Sequence, residues 1–185
     1  MSTLGAILDA NVLIPAPLRD VLLRAAEADL YRPYWSAAIL EEVRRNVVEH
    51  GMSDMVRARR LIDRIRVAFP EAEVHGYESL IASMPNDPKD RHVLAAAVVA
   101  RAPVIVTANL RHFPEEALAI WGIAPRTPDQ FLGELFEQDR ARMIQIIHDQ
   151  VAPLQHPPLT VEQLLRNVGR EAPGFVRAVR EHMST

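Results

Sequence analysis

The chain has 185 residues, enough for one domain or a domain with an appendage, and long enough to bury roughly 70% of its unfolded surface in a real core. With 49% hydrophobic and 24% charged residues it has the make-up of a globular protein, not of a disordered or collagen-like one, and the lack of cysteine excludes disulfides, thiolate zinc sites and thiol nucleophiles. The net charge of 21 − 24 = −3 argues against a uniformly basic nucleic-acid binder.

Residues 1–8 show no signal-peptide pattern, and no apolar run approaches the ~20 residues of a membrane span, so the expected address is the cytoplasm, with no membrane association. Residues 4–8 read as a buried strand opening into the polar turn Asp9-Ala10-Asn11. Pro15 and Pro17 are expected to hold the chain out of a helix until Leu18, after which Leu18, Val21, Leu22 and Ala25 recur at helical spacing. An extended piece over 31–35 leads to Ser36, an N-cap for a helix with the stripe Ile39, Leu40, Val43 and Val47, broken by Gly51. A further helix spans about 53–69, and Val74 belongs to a short strand.

From 43 to 66 seven arginines stand against three acids, a local +4, while Lys89 is the sole lysine. Any phosphate contact on this stretch therefore leans on arginine's forked donors; a solvated helix face is the plainer explanation. In Pro85-Asn86-Asp87-Pro88-Lys89-Asp90, Asp87 at N-cap, Pro88 at N1 and Asp90 at N3 fit the start of an alanine-rich helix running to Arg101. Residues 103–107, with Val104-Ile105-Val106, form the best strand, ending at Ala108-Asn109; a helix over 114–121 and a strand over 123–125 follow. Alternating strands and helices predict an α/β layer structure with a largely parallel sheet. Beyond Thr127 only helices follow, at 129–138, 139–151, 161–168 and 175–182, with a capping box at Thr160/Gln163, Gly169 as a C-cap, and a proline-rich link over 153–158.

Ligands of parallel sheets collect beyond the carboxyl ends of the strands, where Asp9 and Asn109 both fall. Glu42 lies in a helix and Asp90 at a helix start. Each residue alone has a structural explanation, as a turn, a cap or a helix ion pair such as Glu41 with Arg44 or Arg45. Together they make a set of oxygen donors suited to Mg²⁺ or Mn²⁺, the arrangement that phosphodiester hydrolysis needs.

At these residues the sequence resembles the PIN-domain ribonucleases, and more narrowly the VapC-type toxins of bacterial toxin-antitoxin pairs. The resemblance is carried by Leu8-Asp9-Ala10-Asn11-Val12-Leu13, by Trp35-Ser36 through Leu40-Glu41-Glu42-Val43-Arg44-Arg45-Asn46, by Asp87-Pro88-Lys89-Asp90-Arg91-His92-Val93-Leu94, and by Val106-Thr107-Ala108-Asn109-Leu110-Arg111-His112-Phe113-Pro114, in family order over about the first 130 residues. It implies a three-layer α/β/α domain over 1–127 with a central parallel sheet, an all-α C-terminal extension over 128–185, and a Mg²⁺- or Mn²⁺-dependent endoribonuclease that is the toxin of a type II pair.

By motif position Asp9, Glu42 and Asp90 correspond to metal-binding acids, Asn109 to a fourth catalytic position, and Asp87, Thr107, Ser36 and Asn11 to supporting positions; Arg44, Arg45, Arg59 and Arg60 would hold RNA. One further supporting position is a departure: where the family has an acid in Asn-x-x-Asp-Phe, this chain has His112, which could ligate metal when neutral, bind RNA phosphate when charged, or weaken metal binding. The resemblance also implies an RNA substrate, a cognate antitoxin and a homodimer. Two alternatives remain open: a catalytically weakened RNA- or antitoxin-binding relative, and a haloacid-dehalogenase-like phosphatase, whose second aspartate is replaced here by Asn11.

Overall fold

A computed structural model describes residues 3–151 and 159–184. The short apolar runs form strands because both of their faces are covered, which suits continuous aliphatic sequence to a parallel sheet. β1 (Gly5–Leu8), β2 (Arg32–Ser36), β3 (Glu73–Val74), β4 (Val104–Val106) and β5 (Ala124–Arg126) make one five-stranded sheet, all parallel, in the order β3-β2-β1-β4-β5. The chain first winds outward from β1 through β2 to β3, then returns to the other side of β1 for β4 and continues to β5. The winding direction therefore reverses between β1 and β4, whose registers match Leu8 with Val106.

Flanking helices complete a three-layer α/β/α arrangement. α1 (Ala10–Leu13) and α2 (Ala16–Glu27) follow β1, α3 (Ala37–Glu49) and α4 (Met55–Ala68) follow β2, α5 (Arg91–Ala100) precedes β4, and α6 (Glu115–Ala119) precedes β5. The expectation that Pro15 and Pro17 delay helix formation to Leu18 fails. α1 begins directly after Asp9, and α2 takes Pro17 in its first turn, where the missing N–H has no intrahelical acceptor to lose. α3 starts as expected, with Ser36 Oγ accepting from the Ile39 N–H at 3.2 Å. In α5, Val93 to Ala97 are all buried, and their small side chains let the helix lie close against β1 and β2.

The C-terminal helices α7 (Pro128–Gln138), α8 (Arg140–Gln150), α9 (Val161–Val168) and α10 (Pro173–Met183) join the same hydrophobic core. α8 and α9 pack on α2, while the Gln138 and Gln150 side-chain amides donate to the backbone carbonyls of Leu30 and Pro17. The Phe131 ring meets Tyr31 edge-on at 4.9 Å. The expected capping box at Thr160/Gln163 is present, and a second one at Thr127/Gln130 opens α7. Gly169 ends α9 in ordinary helical geometry. The proline-rich link over 153–158 lies outside the described residues. No helix among the described residues is long and apolar enough to cross a membrane.

One contact ties the ends of the helical unit together. α10 has no capping side chain of its own, and Asp129 on α7 supplies the acceptor instead, its Oδ1 receiving the Phe175 N–H at 2.8 Å. A Cβ at Gly174 would lie 2.8 Å from Asp129 Oδ2, so a side chain there would push against the carboxylate that caps α10. Asp129→Ala is expected to destabilise the protein by about 1 kcal/mol in urea unfolding, the usual worth of a helix cap.

Candidate active site

Asp9 is placed by the first turn after β1. Its backbone N–H continues the ladder to the Val106 carbonyl at 3.0 Å, and its side chain caps α1, Oδ1 accepting from the Ala10 N–H at 2.7 Å. Oδ2 accepts from the Thr107 hydroxyl at 2.7 Å and from the Asn11 amide at 2.6 Å. Asn11 in turn takes the Ala108 N–H on its carbonyl oxygen at 2.9 Å, so the turns after β1 and β4 are locked together through side chains. Asp9 is only 4% exposed, and burial is the largest cause that pushes its carboxyl up to about 6; Asp90 and Glu42 add repulsion, against the Thr107 and Ala10 hydrogen bonds.

A cavity of ≈430 Å³ opens here, lined by Asp9, Asn11, Glu42, Arg45, Lys89, Asp90, Asn109 and His112. A larger groove of ≈910 Å³ runs between α2 and α4, walled largely by apolar side chains such as Leu23, Leu61, Ile65 and Phe69; no group of carboxylates converges there, and Asp20 on its wall is paired with Arg24.

Glu42 enters the smaller cavity from α3 because its neighbour Glu41 takes Arg44 in a two-pronged pair at 2.5 and 2.7 Å on a different side of the helix. Arg44 thus leaves Glu42 unneutralised. The nearest cationic candidate is His92, whose Nε2 is 3.9 Å from Glu42 Oε2 and whose imidazole is held below its ordinary pKa, chiefly by burial. Asp90 is oriented by a feature that helix-start patterns do not convey. Asp87 does not cap α5: its Oδ1 accepts from the Lys89 N–H at 3.0 Å within a turn, and the helix begins only at Arg91. Asp90 therefore occupies the N-cap position, not N3, and makes no side-chain cap; its Oδ2 lies 2.6 Å from His112 Nδ1. The expectation of Asp87 as N-cap and Asp90 at N3 is corrected accordingly.

Asn109 lines the cavity beside His112, its amide nitrogen 2.7 Å from Nδ1 and its carbonyl accepting from Arg111. Thr107 is fully buried beneath Asp9. Ser36 is buried at the end of β2 and is used as the α3 cap, outside the cavity lining. Of the arginines, Arg45 reaches the cavity, Arg44 and Arg59 line a separate hollow between α3 and α4 with Arg66, and Arg60 is exposed on α4. Pattern reading singled out neither Lys89 nor His92 for this site. The available signal for His92 was its polarity at the opening of an otherwise apolar helix.

The donor set fits a hard divalent cation. Among the described residues no arginine or lysine pairs with Asp9, Glu42 or Asp90, and the donors to Asp9 are all neutral. His92 Nδ1 and both amide atoms of Asn86 are buried without a partner near this loop, so polar capacity is left unspent around it. Among the described residues, the set whose donor atoms all lie within 4.8 Å of one another is Asp87, Asp90 and His112, while Asp9 and Glu42 line the cavity outside that set.

Comparison with known proteins gives this arrangement a family. The PIN-domain model matches residues 5–111. The chain belongs to the PIN-domain family. A separate model, the VapC50 C-terminal domain, matches residues 128–181, and the PIN-domain match sets aside the phosphatase alternative. The chain is 44% identical over 105 residues to "Putative ribonuclease VapC50" of Mycobacterium tuberculosis (strain ATCC 25618 / H37Rv). That match spans 57% of this chain and 62% of the relative's length. No solved structure matches the chain significantly.

The buried charge in this PIN domain has a measurable cost. Because the Asp9 carboxyl titrates at about 6 in the folded state against 3.8 as its ordinary value, the fold binds that proton more tightly than the unfolded chain does. The associated stability is complete below the lower value and lost as pH rises through the upper one. In chelator, the melting temperature is expected to fall between about pH 4 and pH 7. Asp9→Asn should flatten that fall, and Mn²⁺ should raise the melting temperature of the parent chain at the higher pH more than that of the variant.

Proposed function

We propose that the protein is a metal-dependent endoribonuclease and the toxin of a type II toxin-antitoxin pair, acting in the cytoplasm as a homodimer under the control of a cognate antitoxin. The observation that carries this reading is the convergence of Asp9, Glu42 and Asp90 on one cavity without a permanent cationic partner. Family membership and the relative described as a ribonuclease support it. In this reading residues 1–127 form the nuclease domain and 128–185 a helical extension.

Asp9, Glu42 and Asp90 would hold Mg²⁺ or Mn²⁺, with Asp87 and Asn109 nearby. The ion supplies charge neutralisation and activates water for attack on the RNA phosphodiester. The chain's own residues set the stage. Thr107 and Asn11 fix Asp9 Oδ2 by donating to it, so this carboxylate is preorganised and loses little freedom when it acts. Ser36 contributes by starting α3, the helix that carries Glu42. Arg45 and Lys89 line the same cavity and draw in phosphate. Arg44, Arg59 and Arg60 extend that positive track along α3 and α4 as a sequence-independent hold on the backbone.

The weakened-enzyme reading has one specific observation in its favour, the close approach of His112 to Asp90. Incubating the purified chain with RNA and Mn²⁺ separates the two readings: cleavage supports the nuclease, and retention of RNA without turnover supports the alternative. Asp9→Asn and Asp90→Asn are each expected to lower cleavage at least about 100-fold while circular dichroism stays unchanged, as befits groups that act through transition-state charge. Arg59→Ala with Arg60→Ala should weaken RNA binding and reduce its salt dependence, by about 0.7 in the log–log slope per lost phosphate contact on a single strand.

A further inference from the structure

His112 is the one position in the cavity where nitrogen replaces an expected oxygen, and its surroundings determine what that nitrogen can do. Nδ1 has two close neighbours, Asp90 Oδ2 at 2.6 Å and the Asn109 amide nitrogen at 2.7 Å. One is an acceptor and the other a donor, so Nδ1 satisfies one of them. The contact to the carboxylate oxygen is the shorter of the two. Nδ1 then carries the proton and donates it to Asp90, and the opposite nitrogen, Nε2, is left with a bare lone pair. Asp90 holds the ring in the way that carboxylates hold metal-ligating histidines, by fixing tautomer and orientation from the far side.

Nε2 faces Asp87 Oδ2 at 3.9 Å. Two lone-pair atoms at that distance are too far apart for a hydrogen bond. They match the span of two ligands on one cation, since donors about 2.1 Å from an ion lie about 3 to 4 Å apart. Imidazole suits transition metals, while Mg²⁺ takes oxygen. We propose that His112 Nε2 is a nitrogen ligand beside Asp87 and Asp90, at the edge of the cavity that Asp90 and His112 line, and that it gives this protein a preference for Mn²⁺ and similar transition ions over Mg²⁺. This refines the proposed nuclease reading and rests on its cation.

The test uses the full chain and reads the metal itself. Mn²⁺ bound to the parent protein is expected to show nitrogen hyperfine coupling in electron-spin-echo spectra. Thermal-shift titrations should give a Mn²⁺ midpoint about tenfold or more below that for Mg²⁺, in line with the usual effect of metal-site shell residues. His112→Asp should lose the nitrogen coupling and move the Mg²⁺ and Mn²⁺ midpoints together. His112→Asn, close in shape and neutral, serves as the second variant should the aspartate disturb folding, and it too should lose the coupling. A parent protein that binds Mn²⁺ with no nitrogen coupling overturns the proposal, as does coupling that survives in both variants, which would point to His92. If the parent chain binds neither ion, the nuclease reading falls with it. If Asp90→Asn abolishes binding while the histidine variants leave the Mn²⁺-to-Mg²⁺ ratio unchanged, only the role of His112 is lost.

Discussion

The reversal of winding between β1 and β4 is the constraint on which the site depends. Two neighbouring parallel strands whose onward connections diverge leave a gap beyond their carboxyl ends that no crossover fills. Here that gap receives the turns after Leu8 and Val106, and the Asp9–Thr107–Asn11 hydrogen bonds sew the two turns into one floor. The register of a single strand pair thus sets the position of the deepest carboxylate. A one-residue slip would turn Asp9 away from Thr107, because alternate residues of a strand point to opposite faces.

The floor is polar and buried, and that combination defines its electrostatics. Neutral dipoles from Ala10, Thr107 and Asn11 orient Asp9 without cancelling its charge, and burial together with two nearby acids opposes ionisation. An arginine in place of Asn11 or Thr107 would have made a stable ion pair and a closed site. The donors present instead hold the carboxylate in position while leaving its charge available to something that enters from the cavity. Of the arginines nearby, Arg44 is directed onto Glu41 and Arg66 onto Glu73, while Arg45 lines the cavity without pairing to its acids.

Much of this was legible in the chain before any coordinates. The short β-branched run Val104-Ile105-Val106 suits a strand covered on both faces, and Ser36 marks the start of α3 through its cap. Motif order singles out Asp9, Glu42 and Asp90, and the fold brings these three to the lining of one cavity. The errors fall where a short polar side chain has two competing local uses. Asp87 and Asp90 both fit a helix N-terminus by spacing, yet the Asp87–Lys89 turn wins and delays the helix, which frees Asp90 for His112. Pro17 was misread because proline is equally at home before a helix and in its first turn. Pairings such as His92 with Glu42 join different helices, and local spacing carries no information about them.

The C-terminal helices also bear on the site, through α2. That helix is short, yet Leu18, Val21, Leu22, Ala25 and Ala26 are all buried, more than a helix lying on a sheet with its outer side in water would show. The reason is that α8 and α9 cover it from outside, with Gln150 reaching the Pro17 carbonyl at its first turn. α2 also packs against α1, the single turn whose N-cap is Asp9. The extension therefore bears on the element that immediately follows β1, two helices removed from the cavity. Truncating the chain after Thr127 would strip α2 of this cover and loosen the support behind Asp9, so the two matched regions form one mechanical unit around a shared core.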